Sequence, residues 1–413
     1  MPTLVHNIVT LVTLEKASKK KGKKIVKTDL SLKTTASFLI DNGLVTEINP
    51  KTIPENCNKI DAQDGTVLPG FVDAHTHLVF AGNRANEFEL RSEGATYQEI
   101  HKKGGGILST VEKTRNASQE ELFKTALHFL NQAKENGTTT IEIKSGYGLT
   151  TKDEIKILRV IKRLREEKIL TIISTFLGAH TIPKEYKSNP QKYVEILCQE
   201  TLPQVADENL AEFCDIFIEK GSFSLKQAEK ILDKAVSLDL KIRVHADQFS
   251  SFGATSLALE YGTTSIDHLE HISSKNIKAM AQSKTTATLL PGVAFFLGEK
   301  YAPARALLDQ GVRVALASDF NPGSSMCFNL PLIATLAITH MKMSLSEALV
   351  GITLNGAYSL GLESMTGSLE IGKRADFILL DSGQFHMPFY HFGTNYLKKT
   401  YSYLDFLHPM APT

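Results

Sequence analysis

The sequence predicts an α/β fold: a (β/α)8 TIM barrel with a small β-sandwich domain built from both chain ends. Two patterns carry this expectation. Through the middle of the chain, eight short apolar runs alternate with amphipathic helical segments, the mark of parallel α/β architecture. At both ends the pattern changes to short alternating runs broken by turn signals. The expected division gives 1–65 and 363–413 to the small domain and 66–362 to the barrel.

At the start, β-type runs cover Thr3–Val12, Lys24–Leu30, Ser37–Asp41 and Leu44–Ile48. Asp41-Asn42-Gly43 joins the last two as a tight hairpin. Eight barrel strands are expected at Val67–Val72, Thr139–Ile143, Leu170–Phe176, Phe213–Ile218, Lys241–Val244, Thr264–Ile266, Thr286–Leu290 and Arg313–Ala317. Between them, several helices announce their starts. Ser118-Gln-Glu-Glu121 is a capping box, followed by apolar Leu122, Ala126, Phe129, Leu130 and Ala133, with Gly137 as a stop. Thr151-Lys-Asp-Glu154 opens a helix with Ile155, Leu158 and Ile161 on one face, and Asn189-Pro190 opens another. Ser224-Leu-Lys-Gln227 and Ser344-Leu-Ser-Glu347 open two more. From Thr366 to Asp381 the chain returns to β. A doubly wound sheet is the structural rival, but no Gly-x-Gly-x-x-Gly follows the first strand. Gly104–Gly106 lies too far downstream for that role and is expected to be a mobile loop segment.

Composition narrows the function classes. With 42% hydrophobic and 22% charged residues the chain is ordinary for a globular protein. A formal net charge of +1 gives no long-range pull toward nucleic acid or anionic membrane. The one basic run, Lys19–Lys24, is expected to be a solvated hairpin tip. No stretch approaches the ~20 apolar residues of a membrane span, and no signal peptide is readable. Cys57, Cys198, Cys214 and Cys327 are scattered and suit reduced thiols, so the expected location is cytoplasmic.

Chemistry in such barrels gathers at the C-terminal strand ends, where the loops converge on one mouth. Polar residues recur there. His75 and His77 follow the first strand, with Asp73 on the same face, and Lys144-Ser-Gly-Tyr147 follows the second. His180 follows the third strand, Glu219-Lys220 the fourth and His245-Ala-Asp-Gln248 the fifth. Asp267-His268-Leu-Glu270-His271 follows the sixth and Asp319-Phe-Asn321-Pro-Gly323 the eighth. Each histidine alone is more often structural than functional. Together, three imidazoles and one carboxylate from separate strands make a zinc- or iron-type site with a position open to water.

These residues resemble the metal-site pattern of the amidohydrolase superfamily. Thr353-Leu-Asn355-Gly-Ala and the tail Gly367-Ser-Leu-Glu-Ile-Gly-Lys-Arg-Ala-Asp376 resemble it too. Four segments are similar to its ring-opening branch in histidine degradation: His77–Arg84, Gly104–Arg115, Lys144–Gly148 and Ser318–Ser324. The resemblance implies a homodimer that hydrolyses a small molecule, 4-imidazolone-5-propanoate, to N-formimidoyl-L-glutamate, without nucleic acid or membrane. It implies one zinc or iron ion on His75, His77, His245 and Asp319, and catalysis by Asp319 and His268. Arg84 would pair with the propionate, and Tyr147, His180, Gln248, Asn321, Gly323 and Ser324 would contact the substrate. Gln248 cannot relay a proton as a carboxylate can, which leaves Asp319 as the expected base. Binuclear relatives carry a bridging lysine at the end of the fourth strand. Here that end is Glu219-Lys220, whose side chains point to opposite faces, so one ion is expected. The rivals are another reaction of the superfamily, such as ring deamination, and a non-enzymatic barrel. An arginine waiting for a carboxylate argues against the first, and intact ligands against the second.

Overall fold

In a computed structural model, residues 1–94 and 105–407 are described. The chain opens with β1 (Thr3–Val12), β2 (Leu32–Asp41), β3 (Leu44–Ile48), β4 (Asn58–Asp61) and β5 (Thr66–Pro69). Asn42 and Gly43 turn β2 into β3 with φ of 50° and 72°, the left-handed pair a tight hairpin requires. Near the other end, β14 (Phe377–Leu380) and β15 (Leu397–Tyr401) complete a seven-stranded sheet ordered β15-β14-β5-β1-β2-β3, with β4 also on β1. This one sheet folds over until its β3 edge meets the segment leading into β14. Val45 N–H donates to the Lys373 carbonyl at 2.9 Å and Ala375 N–H to the Gly43 carbonyl at 2.8 Å. Val5, Ile8, Phe38, Val67 and Phe377 fill the interior, Phe38 edge-on to Phe377 at 5.3 Å.

Two expectations at this end are corrected. The strand expected over Lys24–Leu30 is a 3₁₀ turn, Lys27–Leu30, because the buried Asp29 carboxylate accepts the Val26 N–H at 2.9 Å and the Lys20 ammonium at 2.7 Å. The basic run Lys19–Lys24 is not a hairpin tip. It ends a short helix, Glu15–Lys19, and packs on the N-terminal end of the barrel. There the Gly22 carbonyl accepts from Asn355 at 3.0 Å and the Lys21 carbonyl from Arg313 at 2.8 Å.

The barrel strands are β6 (Phe71–Asp73), β7 (Thr138–Lys144), β8 (Thr171–Ala179), β9 (Phe213–Ile218), β10 (Lys241–Ala246), β11 (Ser265–His268), β12 (Thr286–Leu289) and β13 (Arg313–Leu316). They pair in chain order as one parallel eight-stranded sheet. Between β6 and β13 the sheet closes just beyond the strands themselves. Asp73 accepts from Ser318 N–H at 3.0 Å and Ser318 Oγ–H at 2.5 Å. Asp319 N–H donates to the His75 carbonyl at 3.0 Å, and His77 N–H to the Phe320 carbonyl at 2.9 Å. Asp73 therefore fastens the seam, and complete burial pushes its pKa up to about 6 despite those two donors.

Capping boxes at Ser118, Ser224 and Ser344 start helices Gln119–Glu135, Leu225–Ser237 and Leu345–Gly351, and Asn189 caps the helix that Pro190 begins. The helix Thr151–Glu166 is capped one residue earlier than its sequence suggests, by Thr150. Glu154 is thereby free for another task, described below. Of the glycine run, Gly104 lies outside the described residues, and Gly106 precedes the helix Ile107–Asn116.

The apolar run Val67–Val72 is two strands rather than one. β5 belongs to the small sheet and β6 to the barrel, with Gly70 as the joint between them. A Cβ at Gly70 would lie 2.3 Å from Thr139 Oγ1 and 2.8 Å from Thr139 Cβ, so any side chain must displace either the joint or Thr139 on β7. Gly70→Ala is expected to destabilise the fold by roughly 1–3 kcal/mol, the range for overpacking a filled interior. Urea unfolding of the ion-free protein measures it, and an unchanged midpoint would show that the joint can yield.

Candidate metal centre

His75 and His77 extend from the end of β6, His245 from β10 and His268 from β11, and Asp319 follows β13. All five are buried, none more than 3% exposed. Asp319 Oδ1 lies 3.4 Å from His75 Nε2 and 3.3 Å from His77 Nε2. The His75 ring is centred 4.6 Å from His245 and 5.9 Å from His268. His75 Nε2, His245 Nε2 and Asp319 Oδ1 are buried without a hydrogen-bond partner. Unpartnered buried polar atoms are costly, and a cation would satisfy them. His75, His77 and His245 bring ligand atoms within 4.8 Å of one another, as do His75, His268 and Asp319.

The rears of two imidazoles are held, while His77 and His268 have no hydrogen-bond partner on Nδ1. His75 Nδ1 meets Asp267 Oδ2 at 2.6 Å and His245 Nδ1 meets Asp215 Oδ1 at 3.0 Å. Such carboxylate–imidazole pairs fix the tautomer that leaves Nε2 free as a ligand atom. Electrostatics agree with a missing positive charge. Burial and Lys144 both act to lower the His75 pKa, yet Asp267 and Asp319 outweigh them and hold it at about 9. A proton retained there against burial marks an anionic surplus that a divalent ion would neutralise. Burial brings His245 down to about 3, so that ring is neutral and ready to coordinate. His75 and His77 hold the Asp319 carboxyl, despite its burial, well below the usual carboxylate range.

At the end of β9, Lys220 is exposed. Glu219 accepts the backbone N–H groups of Lys220, Phe249 and Ser250 at 2.9, 2.9 and 3.1 Å, which anchors the loop after β10. Glu219 is thus committed to backbone donors and Lys220 to the surface.

Around this centre stand the residues expected on the substrate side. The His180 ring stacks on His77, centroids 5.0 Å apart and 14° between planes. His180 Nδ1–H donates to the Gly146 carbonyl at 3.1 Å, and burial lowers its pKa well below the ordinary value, leaving Nε2 as an acceptor. Tyr147 packs against both rings, centroids 5.8 and 5.6 Å away, and burial keeps its phenol protonated. The loop carrying Tyr147 is shaped by Glu154, whose carboxylate accepts from Gly146, Gly148 and Leu149 N–H at 2.9, 2.7 and 2.7 Å.

Arg84 gives Nε and Nη2 to Glu87 Oε2 at 2.9 and 2.6 Å. Glu87 Oε1 accepts the Gly106 N–H at 3.0 Å. The remaining nitrogen, Nη1, lies over Gly323, where a Cβ would be 2.1 Å away. The approach of guanidinium to backbone therefore depends on that glycine. Asn321, expected on the substrate's polar end, uses its side chain within its own loop. Nδ2 donates to the Asp319 carbonyl at 2.7 Å, and Oδ1 accepts Gly323 and Ser324 N–H at 2.8 and 2.9 Å. Ser324 Oγ accepts from Asn321 Nδ2 at 2.9 Å. Gln248 is half-buried beside Glu270 and His271 in a small cavity also lined by Phe249, Val293 and Leu297.

Several residues here were not singled out from sequence. Glu142, Asp215 and Arg243 are fully buried beneath the histidines, with Lys144 and Asp267 among them. Their signal was a charge inside an apolar strand, most visibly Asp215 within Phe213–Ile218. Glu270 is also buried, with Oε1 3.6 Å from His268 Nδ1. Between them the backbone is left-handed at His268 and Leu269, φ 79° and 72°. Non-glycine residues there cost about 1–3 kcal/mol each and mark a site held in place by its surroundings.

Imidazoles and a carboxylate converging at one barrel mouth define a metal-dependent hydrolase, and comparison with known proteins agrees. Residues 66–406 match the amidohydrolase family, to which the chain belongs. It is 42% identical over 406 residues to the imidazolonepropionase of Porphyromonas gingivalis, covering 97% of this chain and 96% of that one. With the imidazolonepropionase of Bdellovibrio bacteriovorus it shares 46% identity over 388 residues, 92% and 91% of the two chains. Among solved structures, E. coli guanine deaminase shares the fold, with a TM-score of 0.74 at 16% identity over 98% of both chains. Within the amidohydrolases the chain groups with the imidazolonepropionases.

Elemental analysis of the purified protein is expected to give one divalent ion per chain. Two ions in every active preparation would require a second ligand set that the end of β9 lacks.

Proposed function

We propose that the chain hydrolyses 4-imidazolone-5-propanoate to N-formimidoyl-L-glutamate in histidine degradation. The observation that carries this reading is the near-full-length likeness to imidazolonepropionases, and the geometry supplies reasons for each part. His75, His77, His245 and Asp319 would hold one zinc or iron ion, since imidazole and carboxylate donors suit either. When bound, such an ion acts as a Lewis acid that polarises the ring carbonyl and brings the pKa of water toward neutrality.

The protein's own residues do the rest. Asp319, kept ionised by its histidine neighbours, takes the proton of the attacking water and delivers it to the departing ring nitrogen. Water oxygen bonds to the carbonyl carbon and the C–N bond breaks; the carbon stays on the opened chain as a carboxyl group, which loses the second water proton to solvent. His268 stabilises the oxyanion that forms on the way. Arg84 receives the propionate on Nη1 while Glu87 occupies its other edge, which fixes the plane of the guanidinium. Tyr147 Oη and His180 Nε2 hydrogen-bond the substrate, and the Gln248 amide orients the ring nitrogens. Asn321, Gly323 and Ser324 form the wall on which the substrate's polar end rests, Asn321 by shaping it. We assign the enzyme to the cytoplasm, as a homodimer. Among the described residues no helix is long and apolar enough to cross a membrane.

The direct test is conversion of imidazolone propionate to the acyclic formimidoyl product by the metal-loaded protein. Inactivity with the ion bound would sink the substrate assignment. Asp319→Asn is expected to lower turnover by at least the ~10²–10⁴-fold that general-base catalysis contributes. Near-normal turnover with metal bound would remove Asp319 from that role.

Arg84→Gln separates the substrate from its rivals. A charge-assisted hydrogen bond contributes about 1.5–3 kcal/mol, so KM should rise roughly tenfold to a hundredfold with a smaller fall in kcat. A ring analogue without the propionate should react poorly with the native enzyme and equally poorly with the variant. If it reacts as well as the full substrate, the carboxylate clamp is wrong.

A further inference from the structure

Lys144 has no part in the chemistry above, yet it lies at the centre of the layer beneath the ligands. Its ammonium is fully buried, with Nζ 2.8 Å from Asp215 Oδ2, 2.9 Å from Glu142 Oε1 and 3.8 Å from Asp267 Oδ2. Between them the carboxylates lead to two ligand-bearing elements, the segment after β6 and the end of β10. Asp215 holds His245 Nδ1 at 3.0 Å, and Asp267 holds His75 Nδ1 at 2.6 Å. Glu142 Oε2 accepts the N–H of Thr76, the residue between His75 and His77, at 3.2 Å. The Lys144 backbone N–H also donates to the Thr76 carbonyl at 2.9 Å. Arg243 supports Asp267 from the other side at 2.9 Å but makes no bond to Asp215 or Glu142.

We infer that Lys144 is a positioning residue for the metal centre: one ammonium that sets, through three carboxylates, the orientation of the His75 and His245 rings and the place of the backbone between His75 and His77. It touches neither ligand atoms nor substrate, and it acts only through residues that do. The sign of its effect distinguishes this role from plain electrostatics. A buried cation beneath a cation site repels the ion, so removing it should tighten binding if charge were all that mattered. If Lys144 orients the ligands, removing it should loosen binding, by the roughly 10–100-fold typical of outer partners of metal ligands.

The inference rests on the metal-centre reading, and one titration separates the two. Zinc affinity of native protein and Lys144→Met is measured by competition against a chromophoric chelator, and both are loaded with cobalt(II) for visible spectroscopy. Met keeps the length of the side chain and removes the charge. The expected result is a 10–100-fold loss of zinc affinity and shifted cobalt ligand-field bands, since the imidazoles are no longer held at the same angles. Equal or tighter zinc binding with unshifted bands would overturn the inference. If the native protein binds no zinc or cobalt, the metal-centre reading itself fails. Should Lys144→Met not fold, Glu142→Gln carries the test. It leaves Lys144 on Asp215, but the amide has one acceptor oxygen for the two donors of Lys144 and Thr76, so the link through Glu142 is broken at one or the other and affinity should fall about tenfold. Unchanged affinity in that variant would likewise overturn the inference.

Discussion

Burial of charge at the inner ends of β7, β9, β10 and β11 is the constraint on which the rest of this site depends. Glu142, Lys144, Asp215, Arg243 and Asp267 are all fully buried. An ion taken from water into the interior costs several kcal/mol, offset only by good geometry and complete hydrogen bonding. Here nearly every donor is met: Lys144 holds Asp215 and Glu142, while Arg243 takes Asp267 and the carbonyls of Ala74 and Ser359, leaving its Nε unpartnered. A barrel needing only to be stable would do as well with apolar layers at this depth, the usual filling of such a barrel. The charges are explained by what stands above them. With Asp267 and Asp215 not free to move, the His75 and His245 imidazoles are not free to turn.

The same logic explains which parts of the molecule were legible in the sequence. Capping boxes at Ser118, Ser224 and Ser344 are local, so four residues suffice to find them. The metal-type residues were legible because two regularities coincide: side chains alternate along strands, and strand ends in a barrel converge. His75, His77, His180, His245, His268 and Asp319 all followed from position at a strand end. Gly70 was not legible, because an apolar run looks the same whether it crosses from one sheet to another or not. Asp29 turned an expected strand into a 3₁₀ turn through a contact with Val26 N–H that no alternation pattern records. Glu154 looked like the end of a capping box and is instead the floor of the Tyr147 loop. In that case the helix start was read one residue late, which hid a buried carboxylate with three backbone donors. Partners far apart in sequence were the general blind spot.

Asn321 shows the limit from the other direction. Its neighbours Gly323 and Ser324 suggested three separate contacts to a substrate. In the fold they are one small hydrogen-bonded turn, in which the Asn321 amide uses both its ends on backbone and hydroxyl groups. What this turn offers is shape. It places the Cβ-less Gly323 beneath Arg84 Nη1, so a residue 239 positions away along the chain gains its place from the absence of an atom.

The seam of the barrel draws these threads together. The first and last barrel strands meet through Asp73 and Ser318, 245 positions apart in sequence, and through two backbone bonds beside them. Those backbone bonds belong to His75, His77, Asp319 and Phe320, so three of the expected ligands are built into the closure itself. The centre cannot assemble on an open sheet, because Asp319 reaches His75 and His77 only when β13 has come round to β6. Contacts of such separation form late, after the loop-closure entropy between them has been overcome. An ion bound there stabilises only the closed barrel, since the open chain presents its ligands apart. Closure of the fold and completion of the site are therefore one event, held by the same few hydrogen bonds.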